Sequence, residues 1–263
     1  MYRILKHAPS VKPVAVTSHK VRMIAEMVAK TDKIDAGILC LLSQINLLPR
    51  AYLPDPAVEE LRELVRYRAR QVGLRTRSKN LIQGLLVRAG LVAPHVRMFG
   101  PAGREHLAAV TLPPVMRFQA DGYLEMIHLL EEKIDQAEAR IHPLGRRETW
   151  REDVALLDTI PGIGPVTIYA TLAELDDYRR FRKRSAVSTY VGLVPVSKRS
   201  GDASCYGRIS QRGSTVLRSV LVEVARHVAA KVPRYQRLFE TIRYRKGYKK
   251  AVVAVAPQRI QDA

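Results

Sequence analysis

The sequence predicts a mainly helical chain in three parts, and three observations carry that prediction. Apolar residues recur at helical spacing through two long runs, 58–91 and 115–141. The second run keeps the alternating three–four spacing of a packing seam at Ile127, Leu130, Ile134, Ala137 and Ile141. A third pair of helical runs flanks Ile160-Pro161-Gly162-Ile163-Gly164-Pro165, where two glycines permit a tight turn and Pro165 suits a first helical turn. These features set the parts at 1–52, 53–150 and 151–263.

Charge bounds the partner. The 263 residues carry a formal charge of +19 and a pI near 10.3, with 47% hydrophobic residues, enough for a real core. Such an excess attracts polyanions at long range. A membrane surface is the rival polyanion, but the most apolar candidate, Ile38 to Leu48, is interrupted by Ser43, Gln44 and Asn46 and is too short to span. The first residues, Met1-Tyr2-Arg3-Ile4-Leu5-Lys6, lack the apolar run of a secretory leader. Cys40 and Cys205 have neither zinc nor redox spacing, so a reducing cytosol is expected. Nucleic acid is the expected partner.

Along the first part, Val11 to Thr17 is β-like, weakened by Pro9 and Pro13, and Val21, Ile24, Met27 and Val28 share a helix side. Lys30-Thr31-Asp32-Lys33-Ile34-Asp35-Ala36 follows. Asp32 and Asp35 lie three apart, which on a helix puts both carboxylates on one face, where an oxygen-seeking Mg²⁺ is gripped. The plainer reading makes them acids of a helix N-terminus. Leu53-Pro54-Asp55-Pro56 reads as a linker. In the helix beyond it, Val58, Leu61, Val65 and Val72 form one apolar stripe, and Leu74, Leu81 and Leu85 form another out of phase with it. Arg62, Arg66 and Arg70 recur every four residues as a basic ridge, which Arg75, Arg77, Lys79 and Arg88 extend. Phosphate contact and a solvated face both fit this ridge.

The Pro- and Gly-rich segment 93–114 reads as a connection with a short helix inside, and the helix over 115–141 ends at His142-Pro143-Leu144-Gly145. With 58–91 it suggests an antiparallel hairpin or a dimerisation stalk. The glycine turn fits a helix-hairpin-helix, whose N–H groups face a phosphate, with Gly162 and Gly164 as contacts; it also fits an ordinary turn between two helices. Just downstream, Tyr178-Arg179-Arg180-Phe181-Arg182-Lys183-Arg184 holds five cations and two aromatic residues, suited to phosphate pairing and base stacking. For Phe181 itself, anchoring a surface helix is the better reading. From Tyr190 to Ser214 the chain reads as a flexible, basic, serine-rich loop that includes Arg199, Arg208 and Arg212. A serine beside Arg and Gly suits a nucleophile, but no Gly-x-Ser-x-Gly elbow or placed His–Asp pair supports it. On spacing alone an ordinary turn serine is the better reading. His227 reads as a packed or solvated histidine. The apolar helix Ala251–Ala256 is expected to stop at Pro257.

Three blocks in this order resemble one family: Lys30 to Ala36, Ile160 to Gly164 with its flanks, and Gly192-Leu193-Val194-Pro195 through Ser200-Gly201 to Arg208-Ile209-Ser210 and Arg212-Gly213. The order is similar to the insertion sequence one-ten family of transposases, which act as RNA-guided DNA recombinases. That resemblance implies an N-terminal RuvC-like domain of RNase H-like α/β fold holding Mg²⁺ on four carboxylates. It also implies a helical coiled-coil stalk and a helical C-terminal transposase domain whose serine attacks a DNA phosphodiester. Asp32 and Asp35 would be the last two carboxylates. Ser200 would be the nucleophile, with Ser197 as the alternative alignment. The implied partners are DNA, a structured guide RNA and further copies of the chain, as a dimer or tetramer, in the bacterial cytosol. Glu26 is the only acid ahead of Asp32 and sits too close to be a missing ligand. The first part is therefore expected to be a remnant of that domain, and this copy a truncated, impaired one. The rival of another class is a non-catalytic nucleic-acid-binding protein. A helix-hairpin-helix repair nuclease is disfavoured, because no full carboxylate or histidine cluster is visible.

Overall fold

The computed structural model describes residues 14–16, 21, 32–91, 98–200, 203–210 and 213–262. It is mainly helical, and the chain divides at Asp55/Pro56 into two units. In the first unit, α1 (Asp32–Gln44) closes at Asn46, whose φ of 54° turns the chain so that the Leu47 N–H reaches Leu42 O at 2.9 Å. A left-handed Asn after the last turn is a common helix stop. Val16 and Arg50 form an antiparallel bridge, and Ala51 N–H donates to Ala15 O at 2.8 Å. The rest of the expected strand at Val11–Thr17, and the helix side carrying Ile24, Met27 and Val28, lie outside the described residues.

The second unit is built on two long antiparallel helices, α2 (Pro56–Arg88) and α4 (Pro114–Gly145). At 33 and 32 residues each runs about 50 Å. Ion pairs Arg147–Glu60, Arg68–Glu138 and Lys79–Glu131 mark the opposed register. All five seam residues read from the sequence, Ile127 through Ile141, are buried. Proline opens both helices and also α3 (Pro101–Ala109) between them, because an absent N–H costs nothing in a first turn.

A 3-10 turn (Glu148–Trp150) and α5 (Arg151–Asp158) lead into the glycine turn. Next come α6 (Pro165–Leu175), a 3-10 turn (Tyr178–Arg180) and α7 (Arg184–Val191). Strands β1 (Pro195–Ser200) and β2 (Ala203–Ile209) follow, then α8 (Thr215–Lys231), α9 (Pro233–Lys246) and α10 (Tyr248–Asp262). Every residue of α6 from Thr167 to Leu175 is buried, so this helix is the centre of the unit. Val58, Leu61, Val65 and Ile141 of the long helices join Leu157, Ile168, Leu172, Leu217, Val228 and Val255 in one core. Fully buried leucines such as Leu61 and Leu217 each contribute about 2 kcal/mol of apolar transfer. The long helices and the C-terminal helices thus share a core across residue 150. A smaller cluster of Ile82, Leu86, Met98, Leu107 and Ile127 closes the far end of the hairpin. At its near end Gly145 lies against the buried Tyr169 ring, where an added Cβ would sit 2.1 Å from Cε1.

Two expectations are corrected. Residues 195–200 and 203–209 are not loop but two antiparallel strands pairing Ser200 with Ala203, Arg199 with Ser204 and Ser197 with Tyr206, with an irregularity after Pro195. Backbone pairing supplies what these polar residues lack in strand propensity. The last helix does not stop at Pro257: α10 continues to Asp262. The proline removes one N–H from the ladder, and the helix carries on past it.

Candidate nucleic-acid interface

The basic ridge of α2 does two jobs. Arg62 and Arg66 are spent on α6. Arg62 Nε donates to Ala173 O at 2.6 Å, and Arg66 grips Glu174 with Nε and Nη2 at 2.7 and 2.8 Å. The Glu174 side chain is fully buried while that of Arg66 is 47% exposed, so the guanidinium lids an enclosed carboxylate. The hydrogen bond to Glu174 holds the Arg66 proton above its ordinary range, against the opposing effect of burial. The Tyr190 hydroxyl donates to the Glu174 carbonyl at 3.1 Å and fixes the same turn. Arg70, one turn further on, is exposed and makes no hydrogen bond or ion pair among the described residues.

Arg70 borders a groove of about 480 Å³ lined by Arg66, Ala69, Arg70, Gly213, Ser214, Thr215, Val216 and Ser219. The far wall is the start of α8. Ser214 caps that helix, its Oγ accepting from Leu217 N–H at 3.1 Å. No acid stands in the first turn, so the positive end of the helix dipole is left uncompensated beside two arginines. Gly213 has φ 141° and sits under the Tyr190 carbonyl, where a Cβ would lie 1.9 Å from the oxygen. That contact pins the loop to the end of α7. The sequence reading passed over this cap; a serine directly ahead of an apolar periodic run was its signal.

Ala69, Val216 and Ser219 also line a second cavity, of about 420 Å³, that reaches Arg68, Glu138, His142, Gly162, Glu223 and His227. The fold therefore brings the glycine turn into one cleft system with Arg70. Gly162 has φ 85°, and a Cβ there would meet Val228 Cγ2 at 2.9 Å, so packing on α8 explains this glycine. Gly164 is open, caps α6 and has nothing within 4 Å of an added Cβ. His227 is solvated, 3.5 Å from Glu223 Oε1.

The cluster after α6 divides in the same way as the ridge. Arg180 donates to Leu175 O at 3.2 Å and lies 4.6 and 4.7 Å from the ring centroids of Phe181 and Tyr190. Phe181 is half-buried against Tyr190, the anchoring role expected of it. Arg179, Arg182 and Lys183 face solvent. Arg184 opens α7, Arg199 and Ser197 lie in β1, and Arg208 lies in β2. Ser200 ends β1. Arg212 and Gly201 lie outside the described residues.

Asp32 and Asp35 stand on the first turn of α1, with Asp35 exposed. Among the described residues no three His, Cys, Asp or Glu side chains are placed to hold a metal ion. Two carboxylates one turn apart do not by themselves meet the demand of Mg²⁺ for near-octahedral oxygen coordination. No described helix is long and apolar enough to cross a membrane.

Two family models match the chain. One, described as transposase of the IS116/IS110/IS902 family, covers residues 154–240; the other, described as transposase, covers residues 7–90. A probable family 20 transposase of Pseudomonas aeruginosa is 30% identical over 221 residues, 80% of this chain and 64% of the relative. The transposase for insertion sequence element IS1111A of Coxiella burnetii is 30% identical over 206 residues, 75% of this chain and 56% of the relative. That for insertion sequence element IS1328 of Yersinia enterocolitica is 29% identical over 205 residues, 75% of this chain and 58% of the relative. This chain thus spans 56 to 64% of the length of these relatives.

Proposed function

Since this chain belongs to the IS116/IS110/IS902 transposase family, we propose that it binds and recombines DNA for an insertion sequence, with a structured RNA as guide. The observation that carries this is the pair of family matches, 7–90 and 154–240, in order along one chain. The groove beside Arg70 supports it physically, because two arginines, a helix N-terminus and a glycine loop converge there with no acid in the helix's first turn. Such a wall neutralises backbone phosphates and is blind to base sequence. Guide pairing would then supply the sequence, and Arg179, Arg182 and Lys183 the outer phosphate contacts.

In this reading the Ser200 hydroxyl attacks a DNA phosphorus. A serine–phosphate bond forms, the bond to one deoxyribose oxygen breaks, the serine proton passes overall to that released oxygen, and Arg199 and Arg208 would hold the charge that builds on the phosphate. Asp32 and Asp35 would offer two of the oxygens that Mg²⁺ needs, and the charge stabilisation such an ion supplies would depend on further ligands. The RuvC-like, coiled-coil and helix-hairpin-helix assignments belong to this same reading. The test is incubation of the purified chain with duplex DNA, Mg²⁺ and a cognate RNA, followed by denaturing electrophoresis. A detergent-resistant protein–DNA adduct is expected in low yield, in keeping with an impaired copy whose Asp32 and Asp35 alone hold Mg²⁺ weakly; nucleic-acid binding with no adduct would leave only a binder.

The far end of the α2/α4 hairpin exposes Leu74, Leu81, Val115, Phe118, Met126 and Leu129. Exposed apolar residues grouped on a surface suit contact with another protein. We assign these residues to contact between copies of the chain. Light scattering is expected to give a dimer or tetramer, and Phe118→Asp with Leu81→Lys to give a monomer. A wild-type monomer at micromolar concentration would remove this assignment.

A further inference from the structure

On the opposite side of α2 from Arg70, two cations hold one acid and a third stands near Lys79. Arg104 of α3 donates to Glu131 Oε2 at 2.6 Å and through Nε to Phe99 O at 3.2 Å. Lys79 Nζ stands 3.8 Å from Glu131 Oε1 and 5.2 Å from the centroid of the Phe99 ring. Both carboxylate oxygens are thereby engaged. Arg75, one turn before Lys79, brings a third positive charge, and its Nε is buried with no acceptor. The cluster is short of one anion: it has a donor to spare and two charges more than Glu131 balances. An unmet buried donor is costly to keep.

We propose that Lys79 and Arg104, held on Glu131, form with the neighbouring Arg75 a binding site for a phosphodiester of a polynucleotide backbone. A phosphate offers several acceptor oxygens at once. One can face the half-buried Arg75 guanidinium while another meets the Lys79 ammonium. A lone carboxylate from a peptide would satisfy the donor, but the +19 excess of this chain selects a polyanion. The proposal rests on the nucleic-acid reading above and adds a second contact to it. Nine residues separate Arg70 from Lys79, about two and a half helical turns. The site therefore lies on another face from the groove and is tested separately from it.

The free protein carries a cost here. Burial pushes the Lys79 ammonium below its usual range, and Arg75 and Arg104 push it further, against the pull of Glu131. A lowered folded-state value means that the folded form disfavours the proton. The cost is full at neutral pH and fades as pH rises from the lowered value towards 10.5. Lys79→Gln removes the charge. Its melting temperature is accordingly expected to equal or exceed that of the wild type at pH 7, with the difference vanishing towards pH 10.5. A merely structural lysine would give a lower one.

The experiment uses the whole chain, fluorescein-labelled single-stranded RNA and duplex DNA of equal length, and a KCl series read by anisotropy. Lys79→Gln and Arg75→Gln are each expected to reduce the salt slope by about one unit for at least one polymer. Lys79→Arg is expected to restore it. Amine-reactive labelling of Lys79, read by mass spectrometry, is expected to be suppressed by the polymer concerned. Which polymer protects Lys79 tells DNA from RNA. Wild-type binding with unchanged slopes in both Gln variants and undiminished Lys79 labelling overturns this site and leaves the broader reading standing. Loss of melting temperature together with binding in Lys79→Gln also counts against it, as a structural role. A wild-type chain that binds neither polymer sinks both readings.

Discussion

Arg66→Met is expected to lower the unfolding free energy by about 3 kcal/mol at neutral pH, near the lower end of what breaking a buried ion pair costs. The reason is the asymmetry of the pair. Glu174 is wholly enclosed at the centre of α6, whereas Arg66 reaches it from a half-exposed position. Deleting the arginine leaves an ionised carboxylate in the core with no counter-charge. The partly exposed guanidinium is why the lower end of the range applies. At roughly 2–4 °C per kcal/mol for a domain of this size, the melting temperature falls by about 6–12 °C. Arg147→Met is the comparison. Its partner Glu60 is more than half exposed, and such surface pairs contribute about 1 kcal/mol or less. Pairing Arg66→Met with Glu174→Met recovers much of the loss, because no stranded charge remains. Chemical denaturation of the four proteins checks this. Equal small losses for Arg66→Met and Arg147→Met would show that Glu174 is solvated in solution.

On the proposed mechanism, Ser200→Ala is expected to abolish the covalent DNA adduct and to leave affinity for DNA nearly intact. Without Oγ there is no atom to form the ester to phosphorus, whereas a hydroxyl adds little to a complex held by ionic contacts. Ser197→Ala retains the adduct. The two serines differ in place: Ser200 ends β1 opposite Ala203, and Ser197 pairs further down the hairpin with Tyr206. Adduct yield on a denaturing gel and binding by anisotropy separate the outcomes. Adduct lost only in Ser197→Ala moves the nucleophile to Ser197. Adduct undiminished in both variants removes the serine mechanism.

The helical class and the hairpin of long helices were legible because they rest on local periodicity. Each apolar residue of the 127–141 seam is buried where its spacing put it. The role of the ridge was not legible. Arginines every fourth residue fit equally a solvated stripe and an inter-helix contact, and what divides Arg66 from Arg70 is Glu174, 108 residues away in sequence. The strands were missed because Ser197-Lys198-Arg199-Ser200 has little strand propensity. The Gly201-Asp202 pair between two short runs was the turn signal that a hairpin reading needed. The Arg75–Lys79–Arg104 cluster was out of reach for the same reason as Glu174, since α3 supplies one of its members.

Whether the excess charge of this chain is organised to hold a sugar-phosphate polymer is measured most directly by the salt dependence of its binding to duplex DNA. The logarithm of the association constant should fall linearly with the logarithm of KCl concentration, with a slope of about −4 or steeper, and Arg70→Gln should make it shallower by about one unit. No binding at low ionic strength, or binding indifferent to salt and to Arg70→Gln, would contradict it.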